Sequence, residues 1–259
     1  MKLAPVGQLT EISTRIPVEN GDGAGIGGFI ISGAGGGAKK KVLVRGLGPS
    51  LVKAGIAGVL LNPTLELHTS DGQTISNDDW KQNQAEIEAT GLAPTNDREA
   101  AIVATLPTGA HTVIIRGSGD TTGTGLVEVY DIDPASSANL ANLSTRGYVK
   151  SGDDLLIGGI IVTSPYPSSV VVRALGPSLP VTPSLPDPVV ELHDANGFVI
   201  TNDDWRSSQQ TELISTGLAP TNDRESALIA TLQPGLYTAV VRGKTGASGI
   251  ALVESYNLQ

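Results

Sequence analysis

The sequence repeats most of its motifs, in the same order, about halfway along the chain. The ten residues TGLAPTNDRE occur at 90–99 and again at 216–225, and Asn-Asp-Asp-Trp occurs at 77–80 and at 202–205. A repeat of about 125 residues has the usual length of a domain with its own core. The duplication predicts two homologous domains joined by a linker, at residues 1–132, 133–142 and 143–259.

Composition favours strands over helices in both repeats. The 259 residues include 32 glycines and 16 prolines, and only 3% are aromatic, which is typical of short strands joined by tight turns. Branched apolar residues bounded by glycine, IGGFIIS at 26–32 and IGGIIVT at 157–163, indicate buried strands. We expect seven or eight strands per repeat, and therefore an all-β fold of two tandem β-sandwiches of the jelly-roll type. The polar stretch at 81–89 is expected to hold one or two helical turns.

The segment assigned as the linker is DPASSANLAN, at residues 133–142. Its residues are mostly small and polar and include a proline, which is typical of a connection between domains. Interfaces between domains of one chain are often modest and polar, so we expect the two repeats to be mobile about this segment.

Charge and composition exclude several classes of partner. The chain has 17 basic and 26 acidic residues, a net charge of −9, and its basic residues are dispersed, so nucleic acid and anionic membranes are not expected partners. It has no cysteine, which excludes disulfides and thiolate sites. No segment has the length and hydrophobicity needed to insert into a membrane, and the first residues contain no apolar stretch typical of a signal peptide.

The closing half of each repeat carries a family resemblance. TLQPGLYTAVVRG, at 231–243, resembles the Leu-x-Pro-Gly turn and following Tyr-x-Val-x-Val-Arg-Gly strand of pre-peptidase C-terminal β-sandwiches in secreted bacterial proteins. The opening half looks like a repeat found in tandem within large secreted or surface proteins of environmental bacteria. The resemblance implies an extracellular or cell-surface module and no defined activity. The first repeat departs from it, with PTGAH at 107–111 and Ile16-Pro17 where the second has Gly147-Tyr148.

Acidic clusters in each repeat supply the oxygen ligands that calcium prefers. The candidate ligands are Asn77, Asp78, Asp79, Asp97 and Glu99 in the first repeat and Asn202, Asp203, Asp204, Asp223 and Glu225 in the second. Their spacing is not that of an EF-hand loop. The alternative is that these side chains cap turns, while Arg98 and Arg224 neutralise nearby carboxylates.

The only tryptophans, Trp80 and Trp205, occupy equivalent positions beside these clusters. An exposed indole could stack on a sugar ring, which would make them ligand-stacking residues of a carbohydrate-binding site. The alternative is that each ring anchors a loop to the core, because a large ring buries much area in a sandwich of small residues.

Catalytic groups are not expected in this chain. His68 and His193 end equivalent strands close to Asp71 and Asp194, but no Gly-x-Ser-x-Gly elbow and no His-Glu-x-x-His pair accompanies them. The arginines before the two Gly-Pro-Ser turns, Arg45 and Arg173, are expected to pair with a carboxylate such as Glu66 or Glu191.

Three functional hypotheses remain from the sequence. The first is a non-catalytic extracellular structural or adhesive module that associates with itself or with neighbouring modules, as a fibre or a surface layer. The second is a carbohydrate-binding module that uses calcium and binds a polysaccharide, and the third is an accessory domain of a secreted hydrolase.

Overall fold

A computed structural model describes residues 9–33, 37–152, 155–162 and 166–258. Within these residues each repeat contributes eight strands. Those of the first repeat are β1 (Leu9–Val18), β2 (Gly25–Gly33), β3 (Lys39–Leu47), β4 (Pro63–His68), β5 (Thr74–Asn77), β6 (Ala100–Pro107), β7 (Gly109–Gly117) and β8 (Gly123–Asp131). Those of the second repeat are β9 (Ala138–Val149), β10 (Leu156–Val162), β11 (Ser168–Leu175), β12 (Pro188–Asp194), β13 (Val199–Asn202), β14 (Ser226–Leu232), β15 (Gly235–Gly243) and β16 (Gly249–Leu258). The all-β prediction is confirmed.

The helical turns expected after the Asn-Asp-Asp-Trp motif are also present. A 3₁₀ turn at Trp80–Asn83 leads into the short helix α1 (Gln84–Glu88), and its counterpart in the second repeat is followed by α2 (Gln210–Ser215). Each helix buries one apolar side chain, Ile87 or Leu213. These helical turns hold the loop that carries Trp80 or Trp205, which we call the tryptophan loop, against the sheet.

The strands form two antiparallel sheets of eight strands that pack as a sandwich. In the first sheet the order is β13-β12-β15-β10-β1-β8-β3-β6, and in the second it is β5-β4-β7-β2-β9-β16-β11-β14. Each sheet therefore takes four strands from each repeat. One pair, Leu9 with Leu140, connects the two sheets through β1 and β9.

A single apolar core lies between the sheets. Alternate residues of β2 and β4 are buried, as expected of strands with one face toward a core. The main buried cluster contains residues of both repeats, among them Ile16, Val113, Val172 and Val241. The duplicated sequence thus folds as one unit with two similar halves.

The two repeats meet in a seam, which we define as the strand pairs β1 with β10 and β2 with β9. The first strand of each repeat pairs on one edge with the last strand of its own repeat, and on the other edge with the second strand of the other repeat. Because every strand of the seam has a partner on both edges, both sheets continue without interruption from one repeat into the other.

The register of the seam is the same on both sides. Ser13 of β1 lies opposite Gly159 of β10, and the equivalent Ser144 of β9 lies opposite Gly28 of β2. A Cβ atom at either glycine would collide with the hydroxyl of the facing serine. The Gly-Gly and Ser-Thr-Arg motifs therefore recur in both repeats because each motif fits against the other across the seam.

Two equivalent threonines mark a pseudo-two-fold axis between the repeats. Thr14 and Thr145 occupy matching positions in the Ser-Thr-Arg motif, and their hydroxyl oxygens lie 2.6 Å apart in the buried centre of the sandwich. Equivalent side chains meet each other only on a two-fold axis. The repeats are therefore related as the two subunits of a symmetric dimer are.

The predicted linker at 133–142 is wrong over its second half, because β9 begins at Ala138. Its first half is bonded to the sandwich. The ammonium group of the buried Lys40 lies 2.8 Å from a carboxylate oxygen of Asp131 and donates a hydrogen bond of 2.8 Å to the carbonyl of Asp133. Ser136 donates a hydrogen bond to the carbonyl of Lys39. These contacts hold the first half of the segment against the first repeat, and the mobility expected about it stays a prediction.

The seam makes a prediction about its glycines. Gly28→Ala should lower the free energy of unfolding by about 1–3 kcal/mol, because the added methyl group overpacks against the hydroxyl of Ser144. The second substitution Ser144→Ala should restore most of the loss. Urea denaturation measures both effects.

The neighbouring glycine provides the matched control. A Cβ atom at Gly27 meets its nearest neighbour, Val127, at an ordinary 3.5 Å, so Gly27→Ala should cost much less. Equal losses for the two alanine variants would contradict the close fit at Ser144.

Candidate functional site

The most buried of the candidate calcium ligands holds a turn inside the fold. Glu99 is 0% exposed, and its Oε1 accepts hydrogen bonds from the amides of Gly48 and Ser50 and from the hydroxyl of Ser50, at 2.5–3.1 Å. The second repeat makes the same three bonds among Glu225, Gly176 and Ser178. The glutamate that ends TGLAPTNDRE therefore fastens the Gly-Pro-Ser turn to the start of the next strand.

The asparagine of each Asn-Asp-Asp motif also bonds to the main chain. The side chain of Asn77 accepts a hydrogen bond from the amide of Ala101 and donates one to the carbonyl of Asp79. Asn202 does the same with Ala227 and Asp204. Both side chains are buried. They bridge the tryptophan loop to the edge strand, as the turn-capping alternative expects.

The more exposed aspartates of the candidate set pair with cations of the chain. Asp97 lies 2.7 Å from the ammonium of Lys81, and Asp223 lies 2.6 Å from the guanidinium of Arg206. Both pairs are open to solvent, so each contributes little to stability.

The aspartates after the asparagine differ between the repeats. In the second repeat the Lys244 ammonium lies 2.7 Å from Asp203, 3.8 Å from Asp187 and 4.0 Å from Asp204. The corresponding residues of the first repeat are Ser118, Asp78, Asn62 and Asp79. In the second repeat, the ammonium group of Lys244 thus lies where three carboxylates converge.

Within the described residues, no group of three or more histidine, aspartate or glutamate side chains is arranged to hold a metal ion. Most of the candidate calcium ligands are divided among a buried turn, a bridge to an edge strand and ion pairs with cations of the chain. Asp78 instead lines an open cleft of about 390 Å³ beside Asn77. The calcium expectation stays a prediction.

Both tryptophans are buried, which contradicts the expectation of exposed stacking faces. Trp80 is 6% exposed and Trp205 is 2% exposed. Each indole N–H donates to a main-chain carbonyl, that of Asn96 or Asn222, at 3.0–3.1 Å. Each ring packs in a small apolar cluster outside the main core. The physical reason is the low aromatic content, because these rings supply the apolar area that covers this face of the sheet.

The two arginines before the Gly-Pro-Ser turns do pair with carboxylates, but not with Glu66 or Glu191. Arg45 bonds Glu128 on the neighbouring strand β8, the carbonyl of Leu92 and the hydroxyl of Tyr130. The second repeat has the same network among Arg173, Glu254, Leu218 and Tyr256. Burial and the nearby carboxylate raise the pKa of Tyr256 to about 12. Sequence reasoning missed these networks because strand order decides which carboxylate lies beside each arginine.

The histidines have structural partners. His68 and His193 lie 3.3 and 3.1 Å from the glutamates two residues earlier on their own strands, and not beside an orienting aspartate. His111 is buried and stacks on Phe29, and burial lowers its pKa. Its ring bonds the carbonyl of Pro107 and accepts a hydrogen bond from the amide of Ser70.

An apolar cleft opens between the two sheets at the outer edge of the second repeat. Its volume is about 390 Å³, and the residues that line it include Leu192, Phe198, Ile200, Ile229, Leu232 and Tyr237. Phe198 stands at a strand turn and is 63% exposed. The first repeat has Gln73 and His111 at the positions of Phe198 and Tyr237. There Gln73 bonds Asp71 and Thr69, beside the buried His111.

Comparison with known proteins does not assign a family. No family model matches the chain, and no curated protein matches it. The likeness to pre-peptidase C-terminal domains stays a prediction.

Solved structures match over nearly the whole chain at low similarity. An atomic structure of Sulfolobus turreted icosahedral virus is 11% identical over 99% of this chain and 84% of that chain, with a TM-score of 0.25. The STIV MCP is 12% identical over 96% and 93%, with a TM-score of 0.24. A DUF4785 family protein of Legionella pneumophila is 9% identical over 100% and 89%, with a TM-score of 0.21. These scores carry no argument about this protein.

One further finding concerns membranes. In the part of the chain that the structure describes, no helix has the length and apolar character required to cross a bilayer.

The buried glutamates yield a stability prediction. Glu99→Ala should lower the free energy of unfolding by about 2–4 kcal/mol, because two amides and a hydroxyl lose their acceptor inside the fold. The control is Asp97→Ala, in an exposed ion pair, which should change stability by about 0.5 kcal/mol or less. Urea midpoints measure both, and a small effect of Glu99→Ala would argue against a structural role for this carboxylate.

The carboxylates around Lys244 yield a prediction about pH. Burial raises the pKa of Asp187, the neighbouring Asp203 and Asp204 raise it further, and Lys244 opposes them. Lys244→Met should therefore raise this pKa more. A carboxyl whose pKa is higher in the folded protein favours folding when protonated, so the loss of stability should be present near neutral pH and shrink as the pH falls toward about 4.

Thermal melting of the variant and the wild type across this pH range makes the measurement. Lys81→Met is the control, because its partner Asp97 is exposed and has no converging carboxylates. A loss from Lys244→Met that is the same at every pH would contradict the prediction.

Proposed function

We propose that this chain is a non-catalytic structural module, extracellular or at a cell surface, that associates with copies of itself. The repeated polar motifs support this proposal, because in both repeats they are used to hold the fold. Glu99, Asn77 and Arg45 each bond main-chain groups inside their own repeat. A site for substrate needs polar groups that face an open cavity, and Glu99 is completely buried.

The observation that carries the proposal is the apolar cleft of the second repeat. An exposed phenylalanine at the mouth of an apolar cleft is the kind of surface that proteins use for contact with other proteins. The first repeat has glutamine and a buried histidine at the corresponding positions. The apolar opening is therefore not required by the fold that both repeats share.

A second copy of this chain is the partner that we infer for the cleft. Phe198 and the cleft lie on one surface, so a copy related by a two-fold axis could place its own Phe198 against the cleft while receiving the other. The same surface then serves both partners, as an isologous contact requires.

Gln73, the residue of the first repeat at the position of Phe198, suggests the substitution that tests this contact. Phe198→Gln should abolish association, because it removes the apolar ring from the contact. The fold should persist, because the first repeat folds with glutamine at this position. Light scattering on a sizing column should give more than the 26.5 kDa of one chain for the wild type and 26.5 kDa for the variant.

The control is Leu61→Gln, at an equally exposed leucine of the first repeat outside the cleft, which should associate as the wild type does. A monomeric wild type, or a variant that still associates, would contradict the proposal. Repeating the run in calcium and in EDTA tests the calcium expectation with the same readout.

The carbohydrate-binding alternative loses its main argument, since both tryptophans are buried. No observation favours the accessory domain of a hydrolase.

A further inference from the structure

We propose that the seam is a recognition surface between a first and a second repeat that two copies of this chain can share, so that chains join by exchanging repeats. The partner is a second copy of the same chain. A biological use of the exchange rests on the structural role proposed above, whereas the exchange itself follows from the packing of the seam.

Most of the seam does not distinguish one repeat from the other. The Ser13 and Gly159 contact has its equivalent in Ser144 and Gly28, and the axis passes between Thr14 and Thr145. By these contacts alone, two first repeats or two second repeats would fit together as well as the observed pair.

One position next to the axis breaks this symmetry. Ile16 of β1 is completely buried, and the equivalent residue of the second repeat is Gly147. Ile16 and Gly147 face each other across the core, between the two sheets and next to the seam, and a Cβ atom at Gly147 would lie 2.7 Å from a methyl carbon of Ile16. The isoleucine of one repeat fills the space that the glycine of the other leaves.

A second position compensates for the first within each repeat. Gly25 is equivalent to Leu156, and a Cβ atom at Gly25 would lie 2.7 Å from the facing Ile115 of its own repeat and 3.2 Å from Ile16. Leu156 faces the smaller Val241, which is equivalent to Ile115. Leu156 in turn lies 3.2 Å from where a Cβ atom of Gly147 would be. The first repeat thus combines a large residue with a small one, and the second repeat combines the same sizes in the opposite order.

These sizes make the seam specific for unlike repeats. Two first repeats would place two isoleucines in the space of one, and two second repeats would place none there. The first repeat therefore recognises the second and rejects itself, whether or not the two belong to one chain. Pairing between chains gives closed dimers when two chains exchange both repeats, and open polymers when each chain pairs with two others.

The test uses full-length chains in which both repeats have the same type of packing. Variant A carries Gly147→Ile, Leu156→Gly and Val241→Ile, so that both of its repeats are of the first type. Variant B carries Ile16→Gly, Gly25→Leu and Ile115→Val, so that both are of the second type. The third substitution in each variant exchanges the residue that faces position 156 or 25 on the neighbouring strand. Both also carry Phe198→Gln, which removes the cleft contact and separates this test from that of the proposed function.

Neither variant can form a matched seam within its own chain, but A and B can form two matched seams with each other. We expect A and B, refolded together from denaturant, to give a one-to-one complex of twice the 26.5 kDa of one chain. Each variant alone should melt at a lower temperature than the complex. Mass by light scattering and thermal melting are the readouts.

The matched control combines all six of these substitutions in a single chain, also with Phe198→Gln. Its repeats have exchanged types, so it should be a monomer that melts close to the parent. A mixture of A and B that yields no complex would overturn the proposal that copies can share the seam. A six-fold variant that fails to recover the stability of the parent would overturn the assignment of specificity to these positions.

Discussion

Main-chain pairing across the seam is the interaction on which the rest of this structure depends. The strands β1, β2, β9 and β10 lie in the middle of the two sheets, and each would have an unpaired edge without the other repeat. Main-chain groups inside a fold need partners, and an open edge invites pairing with other chains. The repeats meet this requirement for each other, which is why the core is continuous.

The motif residues that look most like a binding site serve this architecture. Sequence reasoning correctly singled them out, because turn chemistry of this kind had to be repeated in each copy. It left two roles open, calcium binding and turn capping, and the contacts of Glu99 and Asn77 with main-chain amides are those of turn capping. The tryptophans were undecided for the same reason, since exposure of a ring depends on which strands lie beneath it.

Differences between the repeats carry information that their similarity does not. The buried ion pair of Lys40 and Asp131 is replaced by a neutral hydrogen bond between Ser168 and Asn257 at the equivalent positions. Both members of the pair have changed together, because a lone charge in this place would be costly. The large Ile16 and the small Gly147 differ in a similarly complementary way. They lie next to the axis, where their sizes distinguish one repeat from the other.

The sequence by itself determined that the chain is all-β, that it consists of two similar halves, and where most of its strands and turns lie. These features depend on local patterns, such as the alternation in β4 and the glycine-bounded apolar segment of β2. Only the tertiary structure decided that the halves share both sheets, that Arg45 pairs with Glu128, and that an apolar cleft opens beside Phe198 in the second repeat. The physical reason is that strand pairing joins residues far apart in the chain. An edge strand presents the same main-chain groups to a strand of its own repeat as to a strand of the other, so the choice rests on packing across the whole sandwich.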